Sequence, residues 1–346
     1  MKKSTFPIHA FVFLCVFLVL FQFSCKKEDN KGNSEPTTAS VLVCNEGIFL
    51  AGNSSISIYN PNTQEVNNNV FENANERPLG DVCQSAALHE GYWYLVINNS
   101  GKIEVIDTAT YSSVQTIVGF NSPRNVLFID ETYAYVSDLF ANRITVIDYI
   151  NGTTYHEIPT NGWVENMLLH EGNVWAANAG GNNLYIINPQ TNLITDSIVT
   201  AFSPVNLQID ANGKLWVLCS GDWDGDPAPH LQRFSMETRT LEADFDLGSG
   251  FPDDLVMNKE KNHLYWLNGD VYALNIEATA LPDTPLISAV GKNLYGLGIQ
   301  PSTNDIYVAD AVDFQQNGSV YIYDKQGVFQ SSFGVGINPG KIYFRE

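Results

Sequence analysis

The sequence predicts an all-β chain: a seven-bladed β-propeller closed by pairing of its N- and C-terminal strands. Three observations carry that prediction. One six-residue pattern recurs seven times at a spacing of ~44 residues, the period of four-stranded propeller blades. No segment sustains a 3.6-residue hydrophobic period, while short apolar runs punctuated by turn residues are dense throughout. The chain also ends on the opening strand of a unit, and its repeats begin with a unit that lacks one.

The elements follow in order. Met1-Lys2-Lys3, an apolar run from Ile8 to Phe23, and Ser24-Cys25 compose an export signal over residues 1–24. The apolar run is short for a membrane span, which needs ~20 residues, and a polar tail follows at once. Cys25 stands where a bacterial lipoprotein signal is cut and the cysteine acylated, although Gln22 and Phe23 replace the usual Leu and small residue. Residues 25–39 are polar and aperiodic, a flexible tether. The basic and then acidic residues after Cys25 resemble the surface-export signal of some Gram-negative lipoproteins. That resemblance implies an outer-membrane lipoprotein exposed on the cell surface, attached to the membrane through its acyl chains alone.

Residues 40–346 are expected to form the propeller. The repeated strand reads Ile56-Ser57-Ile58-Tyr59-Asn60, Ile103-Glu104-Val105-Ile106-Asp107, Ile144-Thr145-Val146-Ile147-Asp148 and Leu184-Tyr185-Ile186-Ile187-Asn188 in the first four copies. The weaker Leu231-Gln232-Arg233-Phe234-Ser235 follows, then Val271-Tyr272-Ala273-Leu274-Asn275 and Val320-Tyr321-Ile322-Tyr323-Asp324. A strand near a proline opens most units, as at Pro78, Pro123, Pro204 and Pro252; Trp163-Val164 and Asn293-Leu294 hold the place without one. The terminal Asn338-Pro339-Gly340-Lys341-Ile342-Tyr343-Phe344 is such an opening strand. It is expected to complete the first blade beside Val41-Leu42-Val43-Cys44, which leaves no open sheet edge.

Composition narrows the partners. The 346 residues hold 18 Lys+Arg against 38 Asp+Glu, a net charge of −20, which repels phosphate backbones and excludes nucleic acid. At 44% hydrophobic and 12% aromatic the chain has ample apolar area to fold. Of its cysteines, Cys15 falls in the signal and Cys25 is assigned to lipid. Cys44, Cys83 and Cys219 are too few and too irregularly spaced for a disulfide framework or a zinc site, and read as buried strand residues.

The repeated apolar-x-Val-Ile-Asp strand, the proline-opened inner strand and the count of seven resemble the YncE-like seven-bladed propellers. Asn45-Glu46-Gly47, Arg77-Pro78-Leu79-Gly80-Asp81, Asn98-Asn99-Ser100-Gly101-Lys102-Ile103, Tyr295-Gly296-Leu297-Gly298 and Tyr307-Val308-Ala309-Asp310-Ala311 look like its lipoprotein branch, the BtuG-type surface vitamin B12-binding proteins. The resemblance spans residues 40–346. It implies a lipid-anchored protein that captures a corrinoid and passes it to a TonB-dependent outer-membrane transporter.

In such a ring the between-blade loops and the second-to-third-strand loops converge on one face, around the channel mouth. The between-blade positions expected there are Arg77, Arg124, Asn125, Trp163, Glu165, Asn166, Asn206, Asp254 and Tyr295, with Asp253 and Lys341 beside them. The companion loops add Phe140, Asn178, Trp223 and Phe314. Amides that both donate and accept, with aromatics to cover a flat face, suit a large amide-fringed ligand such as a corrinoid, and suit many glycans too. Asn and Asp also favour tight turns, which is the competing explanation for each of them.

Asp222, Asp224 and Asp226 alternate around Trp223 and Gly225, a spacing that can wrap Ca²⁺, but the bidentate Glu of a full calcium loop is missing; the alternative is a plain acidic turn. No other cofactor is expected. No GxSxG, HExxH or Cys/His constellation appears, and the only acid–base arrangement on offer is Asp253-Asp254 opposite Glu165. The expected function is therefore capture of a small molecule. The alternatives are a propeller enzyme of the lactonase or glycan-lyase kind, and a protein-docking or adhesion module.

Overall fold

All seven repeated patterns fold as strands, and in six of them the pattern begins one residue after the strand does: Ser55–Asn60, Lys102–Asp107, Arg143–Asp148, Asn183–Asn188, His230–Ser235 and Asp270–Asn275. The seventh lies in Asn317–Tyr323. Each is the third strand of an antiparallel sheet, and the sheets number seven. In this computed structural model residues 39–346 are described. The export signal, Cys25 and the tether before residue 39 lie outside the described residues. Among the described residues no helix is long and apolar enough to cross a membrane.

The sheets are the blades of a ring. Blade one is assembled from both ends of the chain: Pro339–Arg345 is its innermost strand, followed by Ser40–Asn45, Ser55–Asn60 and Glu65–Asn67. The closing register runs Ser40↔Arg345, Leu42↔Tyr343 and Cys44↔Lys341, so the expected latch is present. The other innermost strands are Cys83–His89, Pro123–Phe128, Val164–His170, Pro204–Ile209, Leu255–Met257 and Leu294–Ile299. In blade two the strand begins at Cys83, after the Pro78-Leu79-Gly80-Asp81 segment expected to open it; those residues form the entry loop.

Burial explains why the ring holds. Alternate residues of each strand point to opposite faces of the sheet, and both faces of a blade are covered by its neighbours. The result is seven apolar clusters, one in each gap between adjacent blades. Trp93, Trp216 and Trp266 are among the largest buried side chains, and Cys44, Cys83 and Cys219 are free and buried. Each cluster is built mainly from its two flanking blades, so a ring left open forfeits one cluster outright.

Blade six departs from the expected four strands. It has three, Leu255–Met257, His263–Asn268 and Asp270–Asn275, and only Ile287 bridges to Val271 on the outside. The segment that would have supplied the fourth strand contains Pro282 and Pro285. Proline has no N–H to give the ladder, so this stretch passes the edge without pairing along it.

Candidate functional site

Where an innermost strand meets the second strand of its blade, the register slips near the strand's start in six blades. The extra residues are Gln84, Arg124 with Asn125, Glu165 with Asn166, Val205, Tyr295 and Gly340, read from the breaks in pairing. A β-bulge bends its strand and re-aims the side chain it carries. Repeated around the ring, the bulges turn Arg124, Glu165, Asn166 and Tyr295 into a cavity of about 670 Å³ at the mouth of the channel. Trp163, Ser203, Phe251 and Asp253 enter it from between-blade loops, and Ser220, Trp223 and Gly269 from second-to-third-strand loops. Blades three to seven and the closing strand supply the wall; from blade two only Ala86 reaches it.

Of the thirteen binding positions expected from sequence, nine line this cavity: Arg124, Asn125, Trp163, Glu165, Asn166, Asn206, Trp223, Asp254 and Tyr295. Four do not. Arg77 donates to Glu104 at 2.6 Å and lies over the Phe71 ring, so it neutralises a fully buried carboxylate on the third strand of blade two. Asn178 is buried and ties its loop to the preceding between-blade loop, donating to the Asn161 carbonyl and to the Asn183 side chain. Phe140 is 73% exposed on its turn, away from the cavity wall. Phe314 stands one shell back, edge-on to Tyr295 with ring centroids 5.4 Å apart.

The acidic loop does not form a metal cage. Asp222 Oδ1 accepts from the Trp223 amide and Asp224 Oδ1 from the Asp226 amide, so these carboxylates cap local turns. Among the described residues no three His, Cys, Asp or Glu side chains gather to hold a metal ion. Asp222, Asp224 and Asp226 therefore stand here as an acidic turn, the alternative the sequence offered beside calcium.

Two ion clusters face one another across the cavity. Arg124 Nε reaches both oxygens of Glu165, at 3.0 and 2.7 Å, while its Nη1 donates to Gln84 at 2.6 Å. Burial alone would pull the Arg124 guanidinium down, but the carboxylates of Glu165, Glu46 and Asp253 outweigh it and keep the charge. Opposite, Lys341 donates to Asp254 and stands 3.5 Å from Asp253. Burial, reinforced by Asp253 and opposed by Lys341, leaves the Asp254 carboxyl raised to about 7. Lys341 resists its own burial because two carboxylates share its ammonium, which stays charged.

Behind this pair Tyr295 donates its hydroxyl to Glu46 at 3.0 Å. Burial raises the Glu46 carboxyl, and burial together with that neighbour raises the Tyr295 phenol, which is a hydrogen-bond donor at neutral pH. Burial likewise raises the Tyr343 phenol on the closing strand.

Sequence reasoning overlooked Phe251, Tyr343, Ser203, Ser220 and Gln208. Phe251 is half exposed and stands edge-on to Trp223, with ring centroids 5.6 Å apart, so the two rings form one rim of the mouth. Tyr343 had a readable signal: it lies two residues beyond Lys341 on the same strand, and period two puts both on one face. His89, at the end of the innermost strand of blade two, makes an inter-blade contact: its ring stacks on Phe128 with centroids 3.8 Å apart, and its Nε2 shares a hydrogen bond with the Tyr149 hydroxyl at 3.0 Å.

Residues 39–339 match the family described as Domain of unknown function (DUF5074). No curated protein matches the chain. Among solved structures the chain is similar to a quinoprotein alcohol dehydrogenase-like protein from Bacteroides thetaiotaomicron, at 16% identity and a TM-score of 0.68, covering 89% of this chain and 78% of that one. It is similar also to the periplasmic gluconolactonase of Pseudomonas aeruginosa, at 12% identity and a TM-score of 0.68, covering 89% and 99%. Hydrazine synthase of Kuenenia stuttgartiensis matches at 12% identity and a TM-score of 0.59, covering 72% and 85%. At these identities the likeness is one of fold.

Proposed function

The chain belongs to the DUF5074 family, and on that premise we propose that it is a lipid-anchored binding protein of the outer membrane that captures a corrinoid at the mouth of its propeller. The observation that carries the reading is the mouth cavity itself. Its volume of about 670 Å³ lies within the range of small-molecule sites. Its wall combines the flat apolar faces of Trp163, Trp223 and Phe251 with the amides of Asn166 and Asn206. A large ring fringed with amide arms meets both needs: the aromatics cover its face, and the polar wall exchanges hydrogen bonds with its edge.

The anchor at Cys25 and a place on the cell surface complete the proposal, with a TonB-dependent transporter as the partner that receives the ligand. The adjacent exposed Phe49 and Leu50 on a mouth-side loop support a protein partner on that face, since a contact there would take both large apolar side chains out of water. An enzymatic reading has one observation in its favour, the near-neutral Asp254 carboxyl in a concave site. Turnover of a lactone or glycan that disappears in Asp254→Asn would establish it.

The test is calorimetry on the purified protein with cyanocobalamin, haem and neutral oligosaccharides. The proposal predicts saturable binding of cyanocobalamin at one site. Binding of haem or oligosaccharide alone would reassign the ligand.

A further inference from the structure

The cations at the mouth are already committed to carboxylates of the protein. Arg124 and Lys341 are the cationic side chains lining the cavity. Arg124 is held by both oxygens of Glu165, and Lys341 by Asp254 and Asp253. Glu165, Asp253 and Asp254 line the same wall, with Glu46 behind Tyr295, so carboxyl groups outnumber cations there. Asp253 is the least satisfied of them. Its side chain is 50% exposed, and among the described residues its carboxylate contacts only Lys341, at 3.5 Å.

From this geometry we infer that the mouth rejects anionic ligands and that Asp253 is the residue that selects for N–H donors. The inference rests on the corrinoid reading above and specifies which corrin periphery the site accepts: one fully amidated. An amide arm presents two N–H donors to an acceptor-only carboxylate. A carboxylate arm in its place offers no donor and sets like charges face to face.

Nor can an anionic arm recruit a cation from the wall. Drawing Arg124 away would leave Glu165 uncompensated, and drawing Lys341 away would strip Asp253 and Asp254 of the ammonium they share. Breaking a largely desolvated pair is far costlier than never having formed it. The paired cations thus act as a fixed frame, and the unsatisfied acceptor capacity at Asp253 falls to the ligand.

The experiment is calorimetry on the detergent-solubilised full chain at neutral pH. It compares cyanocobalamin with the monocarboxylic acid made by hydrolysing one peripheral propionamide, in wild type and in Asp253→Asn. The expected result is that the acid binds roughly tenfold or more weakly than the amide to wild type, a gap that Asp253→Asn narrows and raised salt shrinks. Equal affinity for the two ligands overturns the inference and leaves the corrinoid reading standing. A gap that persists undiminished in Asp253→Asn overturns the role given to Asp253. Absence of binding by cyanocobalamin itself overturns the reading of the site, and the inference with it.

Discussion

Removing residues 339–346 takes away the strand that joins the two ends of the ring. Pro339–Arg345 pairs with Ser40–Asn45 in a register that runs from Ser40↔Arg345 to Asn45↔Pro339. An antiparallel ladder of that length holds about six backbone hydrogen bonds, each contributing about 1 kcal/mol net. Ile342 is buried in the cluster between blades seven and one, which adds about 2 kcal/mol. The same deletion uncovers Val41 and Val43 and strips Lys341 from the buried Asp254. A loss of about 8 kcal/mol rivals the whole stability of an ordinary domain, about 5–15 kcal/mol. Thermal and urea unfolding of the truncated chain should therefore show no cooperative transition near that of the intact protein. The milder Ile342→Ala should cost about 2–4 kcal/mol and lower Tm by several degrees. A truncated chain that melts within about 2 °C of the intact one would refute the reasoning, because a latch worth this much cannot be lost unnoticed.

Three further outcomes are expected. Trp223→Ala, at a side chain 85% exposed on the rim, should weaken ligand binding by about 1–3 kcal/mol in calorimetry with Tm unchanged. Arg77→Ala should do the opposite: Glu104, held below the usual carboxylate range against its burial by Arg77 and Lys102, loses a partner, so Tm falls while affinity at the mouth stays the same. For Asp254 the folded carboxyl, raised to about 7, lies above its unfolded value of about 4. The native state then holds the extra proton between those two values, and stability falls as pH rises through that window. Denaturant titrations across it should show a downward slope in wild type that is reduced in Asp254→Asn; equal slopes would contradict the assignment.

The ring was readable because its signal is repeated. One apolar-x-apolar-apolar strand is ambiguous, but seven copies at one period specify blade, count and phase together, and the unpaired half-unit at each end specifies the latch. Blade six was misread because the period persists while its fourth strand fails. The two prolines that prevent pairing at 282 and 285 are local facts that a repeat count averages away. The mouth was legible as far as position at the mouth-side ends of the strands decides it, which is why Trp163, Asn206 and Trp223 were found. The bulges were not visible, since an extra residue in a strand start leaves no compositional trace, and Asn125 looked the same in sequence as Asn178. Asn125 reaches the cavity wall while Asn178 turns inward to brace a loop, a difference set by register. Arg77 was misplaced for a related reason: its partner Glu104 sits inside a repeated strand at a position that other copies fill with uncharged residues, so the ion pair emerges only from the three-dimensional arrangement.

The central claim is that the converging loops of one face form the ligand site, and amide hydrogen exchange on the full chain with and without cyanocobalamin tests it most directly. The account predicts slowed exchange in the segments around 163–166, 203–208, 220–225 and 251–256, with the opposite-face turns at Glu90-Gly91 and Glu171-Gly172 unchanged. Protection confined to those turns, or spread evenly over all seven blades, would contradict it.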